Sequence, residues 1–262
     1  MAFNTTADEQ IKKGRLCELD INYMVYDHKL FNDNDSEVSY SDMYKMCITE
    51  NESRNMECII KPAFNMIHEE RSILILVQYI EHGLTLKKMF LENGLEPDDV
   101  RFIWGDTPDK IRTSAISEFR KGEFKIMIGS TIFDVGIDVP IISGVILAGA
   151  GNSDITLIQR IGRGARNCDY ESILGYLPEF MKQNDGKKIT KVIDVLDTNV
   201  KFFYKQSKNR YYNSIEEFGA DRVHIVGGDK TVLCQHKRST PASNVDIDQL
   251  SAQFEMLRQF TE

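Results

Sequence analysis

Gln159-Arg160-Ile161-Gly162-Arg163-Gly164-Ala165-Arg166 places two arginines three residues apart behind a glutamine. A guanidinium is always charged, and its planar fork of donors fits phosphate oxygens. At i and i+3 of a helix, Arg163 and Arg166 project from nearly the same face. Such a pair suits the charge that spreads over a γ-phosphoryl group during transfer. A lone R-x-x-R would read as a solvated basic helix face. Here the fuller pattern Q-x-x-G-R-x-x-R follows a second chemically suggestive segment.

That segment runs from Ile128 to Pro140, at the end of the apolar run Phe124-Lys125-Ile126-Met127-Ile128, which reads as a buried strand. Gly129, Ser130 and Thr131 then make a turn that can open a helix. A small hydroxyl residue with free backbone N–H groups there can hold a phosphate. Gly136 permits close backbone approach, and Asp138 offers acceptors for a ribose hydroxyl or a basic side chain. Either piece alone is equally consistent with an ordinary strand–turn–helix connection.

Together the two segments resemble motifs V and VI of superfamily 2 helicases and translocases. Ile73-Leu74-Ile75-Leu76-Val77-Gln78-Tyr79-Ile80-Glu81-His82-Gly83 is similar to motif IV. Trp104-Gly105-Asp106-Thr107-Pro108, with Arg112 and Phe119-Arg120-Lys121-Gly122, is similar to motif IVa. Their order and spacing agree with the second RecA-like domain, in the manner of UvsW-type phage helicases that remodel branched DNA. Residues 7–16 resemble the stretch that follows motif III, and Asp194–Asp197 with Ser207–Tyr211 resemble the closing strand and helix. The resemblance covers about residues 7–220. It implies an α/β fold, a RecA-like parallel sheet flanked by helices. It implies that Thr131, Gly105 and Thr107, with Arg112 close by, contact the phosphodiester backbone. It further implies that Gly136 and Asp138 line the nucleotide side, that Gln159 couples the two sites, and that Arg163 and Arg166 reach ATP from across a cleft. Backbone contacts carry no base identity, so binding without sequence preference is expected.

In such motors the first RecA-like domain supplies the phosphate loop, the Mg²⁺ ligand and the water-positioning carboxylate. No G-x-x-x-x-G-K-[ST] or D-E-A-D-like box occurs in this sequence. Gly227-Gly228-Asp229-Lys230-Thr231 lacks the required spacing, and Glu69-Glu70 reads as a helix end. The expectation is therefore the C-terminal half of an ATP-dependent DNA helicase, inactive alone. ATP and Mg²⁺ would be used only beside a first RecA-like domain, in the same or a separate chain. The DNA preference rests on the UvsW-like resemblance, and an RNA helicase half is the alternative. A helicase-fold interaction module without motor activity is a further rival, against which both motif VI arginines speak. A Rossmann-type enzyme would want G-x-G-x-x-G after the first strand, and none is present.

Formal net charge is −8, so the chain is not coated in DNA-binding charge. Cations gather at Lys187, Lys188 and Lys191, and again at Lys201, Lys205, Lys208 and Arg210. The second set has helical spacing and reads first as a solvated face, second as a nucleic-acid contact. The 5 cysteines are odd in number and scattered. They read as reduced thiols, and no structural metal is expected. No apolar run reaches about 18 residues and no signal peptide is visible, so a cytoplasmic protein is expected.

The elements that must position these residues follow from periodicity. Leu19, Ile21, Tyr23 and Val25 alternate as in a half-buried strand. Residues 39–66 read as two helical pieces interrupted near Pro62. From residue 72 strands and helices alternate: 73–78, 80–93, 100–104, 108–120, 124–129, 143–147, 153–163, 189–195 and 199–217. Buried strands alternating with helices imply a parallel sheet covered on both faces. Residues 167–188 read as an insertion, a short helix or a hairpin. The expected organisation is 1–66, an N-terminal extension; 67–225, the RecA-like domain; and 226–262, a linker and an amphipathic helix with Ile247, Leu250, Phe254, Leu257 and Phe260 on one stripe.

Overall fold

The structure is a computed structural model that describes residues 6–27, 38–130, 139–149, 161–162, 164–198 and 200–227. The chain divides into two compact units, Met1–Gly228 and Asp229–Glu262. The second unit, with the expected amphipathic helix, lies outside the described residues.

The first unit is built on seven strands: β1 (Glu18–Tyr26), β2 (Ser72–Leu76), β3 (Val100–Ile103), β4 (Ile126–Gly129), β5 (Ile142–Leu147), β6 (Ile189–Asp197) and β7 (Val223–Val226). Their order is β3-β4-β2-β5-β6-β1-β7, and every pair is parallel. The central strands Ser-Ile-Leu-Ile-Leu, Ile-Met-Ile-Gly and Ile-Ser-Gly-Val-Ile-Leu are buried throughout. Strands buried on both faces need layers on both sides.

One face presents Ile73, Ile75, Ile126, Ile128, Ile146, Ile193 and Val195 to α4 (Lys61–His68) and α5 (Ile80–Glu92). The approach is close at two glycines. A Cβ at Gly83 would lie 2.3 Å from the Phe102 ring, and one at Gly144 would lie 2.7 Å from Met66 Sδ. Residues of opposite parity face the other layer. There α6 (Asp109–Arg120) lies near the β3 side and α9 (Lys201–Phe218) covers β6 and β1. Arg210 of α9 grips Asp194 of β6, and the hydroxyls of Tyr23 and Ser214 meet at 2.7 Å.

The alternating segment at 18–26 is an interior strand, next to the edge strand β7. Leu19, Ile21 and Tyr23 are buried as the alternation predicts, but the last buried side chain is Tyr26, not Val25. The Tyr26 hydroxyl donates to Asn51 Oδ1 at 3.0 Å. Residues 40–68 form a run of short helices, α2 (Tyr40–Tyr44), α3 (Glu52–Asn55) and α4, joined by wide π turns at 45–49 and 56–60. Pro62 falls in the first turn of α4, where a missing N–H is tolerated. The insertion carries two helices, α7 (Tyr170–Leu174) and α8 (Glu179–Lys182). At the amino end of the chain, α1 (Ala7–Lys12) is tied to the segment before β7 by Arg222, which bonds both Asp8 and Glu18 at 2.8 Å.

Two parts of the charge pattern read differently in three dimensions. Arg210 is not on the solvated face: it is 5% exposed and clasps Asp194 through both carboxylate oxygens. Lys188 is likewise buried, because the insertion folds over it. Charge spacing along a sequence does not report burial, and each cation enters the interior only because an acceptor waits there.

Candidate functional site

Parallel strands gather the loops at their carboxyl ends on one edge of the sheet. The chain leaves β3 at Ile103 and turns at once. Trp104 N donates to Thr107 Oγ1 at 3.0 Å, and Thr107 N donates to Trp104 O at 3.0 Å. Thr107 is therefore a buried pin of the turn, whereas Gly105 is exposed with open space where a Cβ would stand. Arg112 lies in the first turn of α6, half-buried, paired with the Asp109 carboxylate. The exit of β4 is adjacent, since Ser130 N donates to Ile103 O at 3.3 Å. Gly105, Thr107 and Arg112 thus come together beside the start of the motif V segment. Thr131, Gly136, Asp138, Gln159 and Arg163 lie outside the described residues.

The motif VI segment is described at Ile161, Gly162 and Gly164, which are helical, and at Ala165 and Arg166 beyond them. Gly164 lies on the sheet so closely that a Cβ would stand 2.5 Å from Thr190 Cγ2 and 3.0 Å from Val145 Cγ2. Three donors then hold the backbone. Thr190 Oγ1 donates to Gly164 O at 2.7 Å, Cys17 N to Ala165 O at 2.8 Å, and Lys188 Nζ to Arg166 O at 2.6 Å. The same ammonium donates to Pro140 O at 2.8 Å. Lys188 therefore ties the residue that ends the motif V segment to the residue that ends motif VI. Arg166 itself is half-buried.

Cys17, Thr190 and Lys188 are positioning residues that the sequence did not disclose. Cys17 lies just before β1 and Lys188 and Thr190 at the start of β6, and the charge pattern had grouped Lys188 only with Lys187 and Lys191. The one available hint was Gly164, a glycine inside a helical pattern, which marks close packing.

Burial lowers the Lys188 ammonium from 10.5 to about 8, with Arg71 adding to the fall and Cys17 and Cys168 opposing it. Between those two values the unfolded chain binds more protons at this group than the native one. The Lys188 contribution to stability therefore rises with pH through that window, and it falls as pH drops toward 8. The expected change is roughly 3 kcal/mol. Denaturant unfolding of the wild type and of Lys188→Met at pH 7 and pH 10 reads it directly. The wild type should gain on the variant at the higher pH, and parallel profiles would mean that the ammonium is well solvated.

Among the described residues no three His, Cys, Asp or Glu side chains converge as cation ligands. Cys17, Cys47, Cys58 and Cys168 are free thiols, and Cys234 lies outside the described residues. Among the described residues no helix is long and apolar enough to cross a membrane.

The helicase conserved C-terminal domain family matches residues 54–168, from α3 through the end of motif VI. Residues 54–168 thus form a helicase C-terminal domain of the superfamily 2 kind. Among curated proteins, this helicase domain is 36% identical over 107 residues to the DNA 3'-5' translocase XPB2 of Sulfurisphaera tokodaii, covering 41% of this chain and 23% of that protein. It is 35% identical over 94 residues to the UvrABC system protein B of Enterococcus faecalis, covering 34% of this chain and 14% of that protein. The matched stretches are thus small parts of those relatives. In fold, the helicase domain is similar to T4 UvsW, with a TM-score of 0.53 and 20% identity over 80% of this chain and 42% of that one. The seven-stranded parallel sheet is the RecA-like arrangement that the motifs implied. β6, α9 and β7 extend it beyond the matched residues, and β1 enters from before them.

Proposed function

We propose that this chain is the C-terminal motor half of an ATP-dependent superfamily 2 DNA helicase or translocase. In this reading ATP is the substrate, held by a first RecA-like domain that also carries the Mg²⁺ site. The present domain contributes Arg163 and Arg166 to the transferring phosphoryl group, and Gln159, Gly136 and Asp138 to the nucleotide side. Gly105, Arg112 and Thr131 meet the nucleic-acid backbone, and Thr107, expected among those contacts but buried in the turn, holds Gly105 in place for it.

The observation that supports this most is the pinned backbone from Gly164 to Arg166. Three donors, Cys17 from just before β1 and Lys188 and Thr190 from the start of β6, fix it against the sheet, and Lys188 links it to the end of the motif V segment. An arginine stabilises a transition state best when it is held in place beforehand, at no cost of reorganisation during reaction. The turn at Gly105 supports the nucleic-acid part, because an exposed glycine at the carboxyl edge lets a phosphate approach the backbone.

The test is phosphate release by the purified chain, alone and mixed with a separately produced first RecA-like domain of a UvsW-type helicase, with and without single-stranded DNA or RNA. No turnover is expected from the chain alone, and DNA-stimulated turnover is expected from the mixture. Robust hydrolysis by the chain alone would overturn the half-motor reading. A stable mixed complex that stays inactive on every nucleic acid would count against the motor role, and stimulation by RNA alone would replace DNA as the substrate.

A further inference from the structure

α9 begins Lys201-Phe202-Phe203-Tyr204-Lys205-Gln206-Ser207-Lys208, and no carboxylate occurs on it before Glu216. That is a local inversion in a chain of net charge −8. Arg210 is consumed by Asp194, but Lys201 and Lys205 stand in solvent. Lys208 Nζ lies 5.4 Å from the centre of the Tyr204 ring. At its amino end the helix joins an aromatic cluster. Tyr44 and Phe203 form a buried floor, 5.9 Å apart between ring centres. Above them, Phe202 is 46% exposed, Tyr79 38% and Tyr40 37%. Tyr40 stands edge-on to Phe202 at 5.3 Å, and Tyr79 edge-on to Tyr44 at 4.8 Å.

We propose that Phe202, Tyr40 and Tyr79 form a stacking platform for the bases of a single-stranded nucleic acid, whose phosphates are met by Lys201, Lys205 and Lys208. Exposed rings held rigid by buried ones offer flat faces at little entropic cost, and every base has a face to stack. The lysines decide between occupants. A protein-binding apolar patch is depleted in lysine at its centre, whereas a single strand requires cations beside the rings. Among the described residues the opposing charges are few. Asp42 beside Tyr40 is engaged by the Ser39 hydroxyl at 2.7 Å, and Glu81 is exposed at the start of α5.

Position supplies a second argument. Tyr79 follows the carboxyl end of β2, Phe202 that of β6, and Gly105 that of β3, all on one edge. In the order β3-β4-β2-β5-β6 these are evenly separated, two strands apart each time. At about 4.8 Å per strand the track spans about 19 Å. This inference deepens the nucleic-acid reading given above but uses other residues, so the two can fail separately.

The test measures anisotropy of a labelled oligothymidine and of an abasic oligomer of equal length, using the full chain. Phe202→Leu and Tyr79→Leu keep apolar bulk without a ring, and circular dichroism checks that each variant is folded. Each should weaken oligothymidine binding roughly 5- to 150-fold, while abasic binding, already weak, stays unchanged. Replacing Lys201, Lys205 and Lys208 together by Glu should lower the steepness of log affinity against log salt by about 2. Equal wild-type affinity for the two oligomers, with no effect of either ring variant, would overturn the platform. So would ring variants that bind oligothymidine normally but no longer associate with a first RecA-like domain, since the patch would then be a protein interface. Arg112→Ala serves as the separate probe of the Gly105 edge. Loss of binding there alone leaves the edge contacts standing without the platform, and loss in the ring variants alone does the reverse.

Discussion

Arg166→Ala is expected to lower DNA-dependent ATP turnover by about 10³-fold or more once the chain is paired with a first RecA-like domain. The fold should survive, because the backbone here is held through its carbonyls. Lys188 reaches Arg166 O and Cys17 reaches Ala165 O whatever side chain residue 166 carries. Arg166→Lys should recover little, since an ammonium cannot reproduce the planar fork. Single-turnover phosphate release, together with nucleotide affinity and a melting curve, separates the outcomes. A variant with near-wild-type turnover would make Arg166 a structural residue. A variant that melts much earlier would make its contacts within this domain the main role.

Arg54→Met is expected to destabilise the domain by about 3–5 kcal/mol. Arg54 and Asp197 are both fully buried, paired through Nε at 2.6 Å and Nη2 at 3.0 Å, and the third guanidinium nitrogen donates to Ala148 O at 3.0 Å. Removing the cation leaves an unpaired carboxylate in the interior and an unsatisfied carbonyl at the end of β5. Nearby His82, bonded to Asn55 Oδ1 at 2.9 Å, is held neutral: burial, then the Arg54 charge, pushes it down to about 3. Asp197→Leu should cost a similar amount by stranding the cation. The double variant should be less destabilised than the sum of the two, because apolar replacement of a whole buried pair is often nearly neutral. Denaturant unfolding of the four proteins gives the coupling. Strict additivity would mean that water already screens the pair.

The pair also shows why some of the interior escaped the sequence. Arg54 and Asp197 are 143 residues apart, and nothing local marks either as buried. Asp194, equally concealed, was marked by the sequence only as part of the closing strand. Its partner Arg210 looked like one of four solvated cations. The partnership exists only because α9 crosses β6 on one face while α3 meets the end of the same strand from the other.

What the sequence determined by itself is the layered α/β architecture and the order of the strands and helices from residue 72 onward. Unbroken apolar strands such as Ile73–Val77 can be satisfied only between two layers, and helical spacing in the intervals supplies those layers. Among the described residues, the elements expected at 73–78, 80–93, 100–104, 108–120, 124–129, 143–147, 189–195 and 199–217 fall within a few residues of those bounds, and the helix expected at 153–163 lies mostly outside the described residues. The placement of Gly105 and Thr107 at a strand exit also followed from local pattern, since turns follow strands directly. The tertiary structure alone decided which distant groups meet. β1 lies between β6 and β7, Cys17 and Thr190 hold motif VI, and Lys188, one of a group of cations in the sequence, bridges two motif ends. Only in three dimensions do Tyr40, Tyr79 and Phe202, from three separate segments, share one exposed surface. Periodicity reports the face that an element must bury, because burial repeats with the local geometry. It carries no record of which neighbour covers that face, because that choice is made by packing among elements far apart in the chain.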